Sequence, residues 1–332
     1  MTNNSNRVLS RFYVLLPLLA VLLLTACTSL EPSSTHPQEH SLIGQIWDVK
    51  AQRIITRDEL LQQVRDAHYL LLGETHDNEV HHRIQTSIVE ALARDRRPAL
   101  AMEQFDIEHQ TALNEAAAMP NTTTESIADA GQFDRKGWNW PLYEPLVAIA
   151  LRNKLPIAAI NLSRAEARRI VGQPQQLTED PRFAALALSA AWNQQREDTL
   201  RHEIVAGHCG HAPATMLPGL MAAQRLRDAT MAEALIARSA TGAVAILGHG
   251  HARKDIGVPI YLTARVPRAR VVSISLMEVE PAHRYASDYI AEEGAEFDFV
   301  WFTPAAQREN PCANLPPSLH SASPPSTHDT TR

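Results

Sequence analysis

Four short stretches hold the side chains most able to do chemistry: Glu74 with His76, Glu103, Asn161 with Arg164, and His249 with His251. Two carboxylates and two or three imidazoles, brought together, can pass protons or hold a divalent metal ion. The candidate catalytic set is Glu74, His76, Glu103 and His251, and a metal set would add His249. No spacing matches a zinc signature such as His-Glu-x-x-His. His249 and His251 share a face if both are extended. The competing structural reading makes Glu103 and His251 a buried network, with Arg164 as the partner a buried acid needs.

Each stretch follows an apolar run, and that is what positions it. Tyr69–Leu72, Ala99–Met102, Pro156–Ile160 and Ala243–Leu247 read as buried strands of a parallel sheet. In open α/β sheets the carboxyl ends of such strands form the ligand-binding edge. The expected class is therefore α/β, a large and mainly parallel sheet flanked by helices. Ile43–Ile55 fits two short strands, and Thr56 with Glu59 fits a capping box opening a helix through Ala67. A helix after Glu74 carries Val80, Ile84, Ile88, Ala91 and Leu92 on one side, with His81 and His82. Helices are expected over 106–130, and later strands at Pro259–Thr263, Arg270–Met277 and Phe297–Phe302. Residues 165–240 show helical patterning without a convincing strand, which predicts a helical insertion around His208 and His211. Those two histidines fall on one face if the segment is helical.

The N-terminus is of another kind. Arg7 and Arg11 precede an apolar core, then Leu24-Thr25-Ala26-Cys27, a pattern like the bacterial lipobox. Residues 1–26 are read as a lipoprotein signal peptide and Cys27 as the lipid-bearing residue, with Thr28 in place of Asp pointing to the outer membrane. Residues 27–41 are a flexible tether, 42–303 the α/β domain, and 304–332 a Pro/Ser-rich disordered tail. Cys209 and Cys312 remain, and the position of Cys312 in that tail favours two separate thiols. A net charge of −6 without a basic stripe excludes a nucleic-acid partner. Trp138, Trp140 and Tyr143 form a concentrated aromatic stretch; tyrosinate is an accepted axial ligand of haem iron.

Gly73-Glu74-Thr75-His76-Asp77-Asn78 with His81-His82, Met102-Glu103-Gln104-Phe105 and Gly248-His249-Gly250-His251 together resemble the ChaN-like haem-binding uptake lipoproteins. The wider superfamily includes TraB, the Tiki metalloproteases and the erythromycin esterases. The resemblance spans residues 42–303. It implies haem binding at the cell envelope beside an outer-membrane haem or iron receptor, as a homodimer facing the periplasm. It further implies a tyrosine as haem ligand, with Tyr143 the candidate and Tyr261 the reserve; His208 is a further candidate haem-binding residue, with a solvated His208–His211 pair as its alternative. Catalytic relatives use positions that map onto Glu74, His76, Glu103 and His251, so the alternative function is divalent-metal-dependent hydrolysis at the same edge.

Overall fold

In a computed structural model, the described residues are 40–185, 192–238, 240, 242–290, 296–310 and 312–313. The signal peptide with Cys27, most of the tether and residues 314–332 lie outside them.

Eight strands form one sheet in the order β2-β1-β8-β7-β3-β6-β4-β5. They are β1 (Ile46–Asp48), β2 (Arg53–Ile55), β3 (Tyr69–Glu74), β4 (Ala99–Asp106), β5 (Ile157–Asn161), β6 (Ala243–Gly248), β7 (Val271–Glu278) and β8 (Phe299–Thr303). The run from β8 to β5 is parallel; only β1 pairs antiparallel, with β2 and β8. The mainly parallel sheet anticipated from the apolar runs is what forms. β3 shows why the run is unbroken rather than alternating. Leu70 and Leu72 enter one core and Tyr69 and Leu71 the other, so both faces are covered.

The helices are α1 (Arg57–Val64), α2 (Glu79–Asp95), α3 (Gln110–Ala118), α4 (Thr124–Ala130), α5 (Trp140–Asn153), α6 (Arg164–Gly172), α7 (Pro181–Ala185), α8 (Gln194–Gly207), α9 (Leu217–Ile236), α10 (His249–Ala252) and α11 (Val258–Arg265). Ile88, Val89 and Leu92 of α2 join Leu146, Val147 and Ile149 of α5 on one face of the sheet. Ile170 of α6, Leu226 and Leu235 of α9 and Leu262 of α11 cover the other. At about 1.5–3 kcal/mol for each fully buried large apolar side chain, these two layers dominate the stabilisation. Thr56 caps α1 with the expected box. Between β5 and β6 the described residues carry helices α6 to α9 and no strand. No helix among the described residues is long and apolar enough to cross a membrane.

Three expectations are corrected. Pro259–Thr263 is not a strand: Pro259 sits in the first turn of α11, where its missing N–H costs nothing. Cys209 and Cys312 are not separate thiols but a disulfide spanning 103 residues. The chain beyond Pro304 is also held for some way. The Pro304 carbonyl accepts from Asn78, and Arg308 bridges Asp77 and Glu278.

Candidate functional site

The parallel strands bring Glu74, Glu103 and Asn161 to one edge, with α10 rising from the end of β6. Glu74 is buried and its Oε1 accepts from the Tyr143 hydroxyl at 2.7 Å and from His76 Nδ1 at 3.0 Å. Its Oε2 faces His82 Nδ1 at 3.4 Å. Burial pushes the Glu74 carboxyl up, but His76, His82 and Tyr143 outweigh it and hold it below the usual range. Burial likewise pulls the His76 imidazole down, and Glu74 and Glu103 outweigh it to raise it. The His76 side chain is 44% exposed and lies edge-on to Trp138. Its ring packs on Gly248, where an added Cβ would stand 2.9 Å from Cε1.

Glu103 is anchored twice. Its Oε2 accepts from the Gly248 N–H at 2.7 Å, and its Oε1 faces His251 Nε2 at 3.5 Å. On the other side of the imidazole, Asp228 of α9 accepts from His251 Nδ1 at 2.6 Å. Burial disfavours charge in all three. The two carboxylates nevertheless outweigh burial at His251 and raise it to about 10, and His251 lowers Glu103 to about 2. At Asp228 burial wins and pushes the carboxyl up to about 6. Asp228 was not anticipated, because it lies inside a helix of the insertion and belongs to no strand end.

The two glycine-flanked histidines part company. Both lie on α10, not on an extended segment, so they do not share a face. His249 Nδ1 meets Ser275 Oγ at 3.1 Å, and its ring rests on Phe297. Burial, with Arg253 and His81 adding repulsion, pulls it to about 4. Arg164 is not the partner of Glu103 either; it pairs with Asp134 at 2.9 Å. His81 is a structural residue. Its Nδ1 accepts from Thr75 N–H at 2.9 Å and its Nε2 donates to Thr303 Oγ1 at 2.8 Å. Among the described residues, no three His, Cys, Asp or Glu side chains are arranged to hold a metal ion. His249 stands apart, and Glu74, Glu103, His251 and Asp228 are engaged with one another and their neighbours, so these residues do not fit the divalent ion the sequence suggested.

The three candidate haem-binding residues are placed very differently. Tyr143 is 0% exposed beneath the edge, and burial together with Glu74 drives its hydroxyl far above the ordinary range. Tyr261 is equally buried, accepts from Trp192 Nε1 at 3.1 Å, and is raised by burial in the same way. Neither hydroxyl reaches a surface on which a haem could lie. His208 is exposed. The insertion folds it neither on a helix nor on one face with His211: α8 ends at Gly207, and Cys209 (φ +55°) and Gly210 (φ +76°) turn the chain left-handed. His208 Nδ1 donates to the Ile204 carbonyl at 2.7 Å, which leaves Nε2 as the free, lone-pair nitrogen.

His208 borders a cavity between α6, the end of α8 and α9. Ala167, Val171, Ile204, Leu220 and Ala223 give it apolar walls. Gly219 lets α9 pass close to α6, since a Cβ there would collide with the Val171 carbonyl. Arg164, Arg168, Arg227 and Gln224 supply the polar lining. Arg227 Nη1 donates to Asn161 Oδ1 at 3.0 Å, so a strand-end residue orients a cavity arginine. Gln224 Nε2 lies 3.1 Å from His251 Nδ1, making it the contact between cavity and edge.

The profile of the family described as haem-binding uptake, Tiki superfamily, ChaN matches residues 60–262. No curated protein matches the chain in sequence. Among solved structures, ChaN of Campylobacter jejuni, seen with cofacially bound haem, superposes with a TM-score of 0.62 at 23% identity, over 77% of this chain and 95% of that one. The type III effector HopBA1 gives 0.42 at 14% identity, covering 75% and 93%. An erythromycin esterase, EreC, in its open conformation gives 0.38 at 11% identity, covering 75% and 79%.

Proposed function

The chain belongs to the haem-binding uptake family ChaN of the Tiki superfamily, and from that membership we propose that it takes up haem in the cavity between α6 and α9, with His208 as the iron-binding residue. The observation that carries this is the His208 ring. Its Nδ1 proton is committed to a backbone carbonyl, so Nε2 is the nitrogen left for a metal. The apolar walls suit a macrocycle, and the arginines suit its carboxylates. When bound, the haem iron supplies the redox and ligand chemistry. The protein's own part is to hold an imidazole in one tautomer, shield one face of the ring and neutralise its acids.

The test is a haem titration of the full chain followed by absorbance, with His208→Ala beside the wild type. The expected outcome is saturable binding with a histidine-type spectrum that the variant loses, at unchanged unfolding free energy. An unchanged spectrum in the variant would remove His208 from the proposal.

The same reading places the protein in the cell envelope as an outer-membrane lipoprotein. It would be tethered through lipid on Cys27, act beside a haem or iron receptor and pair as a homodimer. Its support is the Leu24–Cys27 pattern together with the family's role in uptake. Labelled fatty acid should enter the wild-type chain and not Cys27→Ser; equal labelling of both would reject the anchor.

A further inference from the structure

The chain beyond β8 has a property that haem binding does not call for. Residues 304–310 form no helix or strand, most of them are exposed, and none of their side chains enters an apolar core. Polar contacts hold this segment at one end. Asn78 Nδ2 donates to the Pro304 carbonyl at 2.9 Å, and the Ala306 N–H donates to Glu278 Oε1 at 3.1 Å. Arg308 donates to both oxygens of Asp77, at 2.7 and 2.8 Å. Shortly beyond, Cys312 is bonded to Cys209.

The two fastenings stand on different sides of His76. Glu278 ends β7, and Asp77 follows His76 in the turn after β3. Cys209 belongs to the turn after α8, and next to it Ala212 and Leu217 pack with Ile256, just beyond α10. That end therefore lies towards β6, whose last residue, Gly248, meets the His76 ring. The segment is a strap along the strand-end edge. Beside it, His76 and Asp77 open on a cavity of about 350 Å³ lined also by Arg135, Lys136 and Trp138. The bridge itself is within reach of solvent: both cysteines are half-buried, and His208, Asn310 and Ala313 around them are exposed. Cys209 holds a left-handed backbone (φ +55°), which is costly for a residue with a Cβ, so opening the bridge also lets that turn relax.

We propose that the Cys209–Cys312 bridge is a reducible latch, opened by an external dithiol of the kind carried by thiol–disulfide oxidoreductases, and that its opening frees the strap and uncovers the His76 cavity. One thiolate of the dithiol attacks a bridge sulfur, forms a mixed disulfide and expels the other cysteine as a thiolate, which takes a proton. The second thiolate of the dithiol then attacks the mixed disulfide and frees the remaining cysteine. The bridge gains two electrons and two protons, and the dithiol leaves as its own disulfide. Exposed ion pairs such as Arg308–Asp77 contribute little, and each released residue regains backbone freedom, so the polar contacts do not hold the strap once the bond is open. Its departure takes away the cation that Asp77 and Glu278 share. The latch works with or without haem.

The experiment compares the oxidised full chain with the same chain treated with dithiothreitol, its fold checked by circular dichroism. Trypsin cleavage after Arg308 reports release of the strap, and modification of His76 by diethylpyrocarbonate reports the cavity. Both are read by peptide mass. Reduction should speed each reaction by at least about tenfold at unchanged circular dichroism. Cys312→Ser should react at the reduced rate without dithiothreitol and be indifferent to it. Arg308→Lys, which keeps the trypsin site and loses the paired contact with Asp77, should stay slow while oxidised. A bridge that dithiothreitol opens only as the fold is lost overturns the proposal. So does an opened bridge with either rate unchanged. Equal release in oxidised Arg308→Lys would make the ion pair the latch and overturn it too.

Discussion

The strand-end cluster and the His208 cavity are neighbours joined by Gln224, yet they are built on opposite principles. At the sheet edge the charges are paired within the protein, Glu74 with His76 and Tyr143, Glu103 with His251 and the Gly248 amide, and Asp228 with His251, and the buried Glu74 Oε2 and His82 Nδ1 alone of this group make no hydrogen bond. The cavity is the reverse. None of its lining residues is acidic, Arg164 alone reaching an acid partner, Asp134, outside it, and its histidine keeps one nitrogen free. A set of charges that is paired within the protein contributes to fold specificity and has less capacity left for a ligand. A set that leaves charge unanswered costs stability until something binds. The difference teaches that density of chemically able side chains is a poor guide to where a ligand goes, and residual valence is a better one.

The comparison is broken most forcefully at His251. His251→Leu leaves Glu103 and Asp228 buried without their common counter-charge, and the expected loss is about 3–5 kcal/mol of unfolding free energy. Haem affinity of the folded fraction should hardly move. The pH dependence follows from the same residue. Its folded value, about 10, lies above its unfolded value near 6.5, so its contribution is complete below 6.5 and is lost as pH climbs through 10. Urea titrations across that range should show wild-type stability falling and the variant's nearly flat. A wild type that is flat there would mean that His251 is not the buried cation described. On the acid side, Glu103 contributes above its unfolded value near 4.5 and loses that contribution as pH falls towards 2.

The next effect in size sharpens the contrast from the cavity side. The Cys209–Cys312 bridge closes a loop across 103 residues, and Cys209 directly follows His208. Cys312→Ser should cost about 2–4 kcal/mol, chiefly by freeing the unfolded chain. It should also loosen the left-handed turn that aims His208, so haem affinity falls severalfold, whereas His251→Leu leaves it alone. If both variants lost stability and neither lost affinity, the bridge would have no part in aiming the ligand.

The sheet edge was legible in the sequence because a strand that is buried on both faces must be apolar, and the first polar residue after it marks its end. Glu74, His76 and Glu103 could be read that way, and so could the helical insertion, from the lack of any strand pattern. What lay hidden depended on side-chain direction and on contacts distant along the chain. Asp228 is 23 residues from His251 and sits in a helix whose pattern gives no hint of a buried acid. His249 and His251 diverge because Gly248 starts a short helix where extended chain was the simpler reading. Pro259–Thr263 looks like a strand until Pro259 is seen as a first-turn residue of α11. The disulfide could not be read from spacing, since Cys312 reaches Cys209 only after the chain beyond β8 is tied back by Asn78 and Arg308. Tyr143 was prominent for its aromatic neighbours, a composition signal that cannot tell a buried ring from a presented one.

Tyr143 therefore supplies the smallest test and the most discriminating one. Tyr143→Phe keeps the ring and its edge-on contact with His82 while deleting the hydroxyl that donates to Glu74. Glu74 retains His76 at 3.0 Å, so the loss is one hydrogen bond to a buried charge, about 1.5–3 kcal/mol. The absorbance of the haem complex should stay as it is. Tyr143 has no exposed surface, and with its hydroxyl held far above the ordinary range it carries its proton at neutral pH. A tyrosinate ligand there would have to discard that proton beside the Glu74 carboxylate and open α5 away from the sheet. A spectral change in this variant, with the His208→Ala spectrum intact, would move the haem to the strand ends and exchange the roles of the two regions.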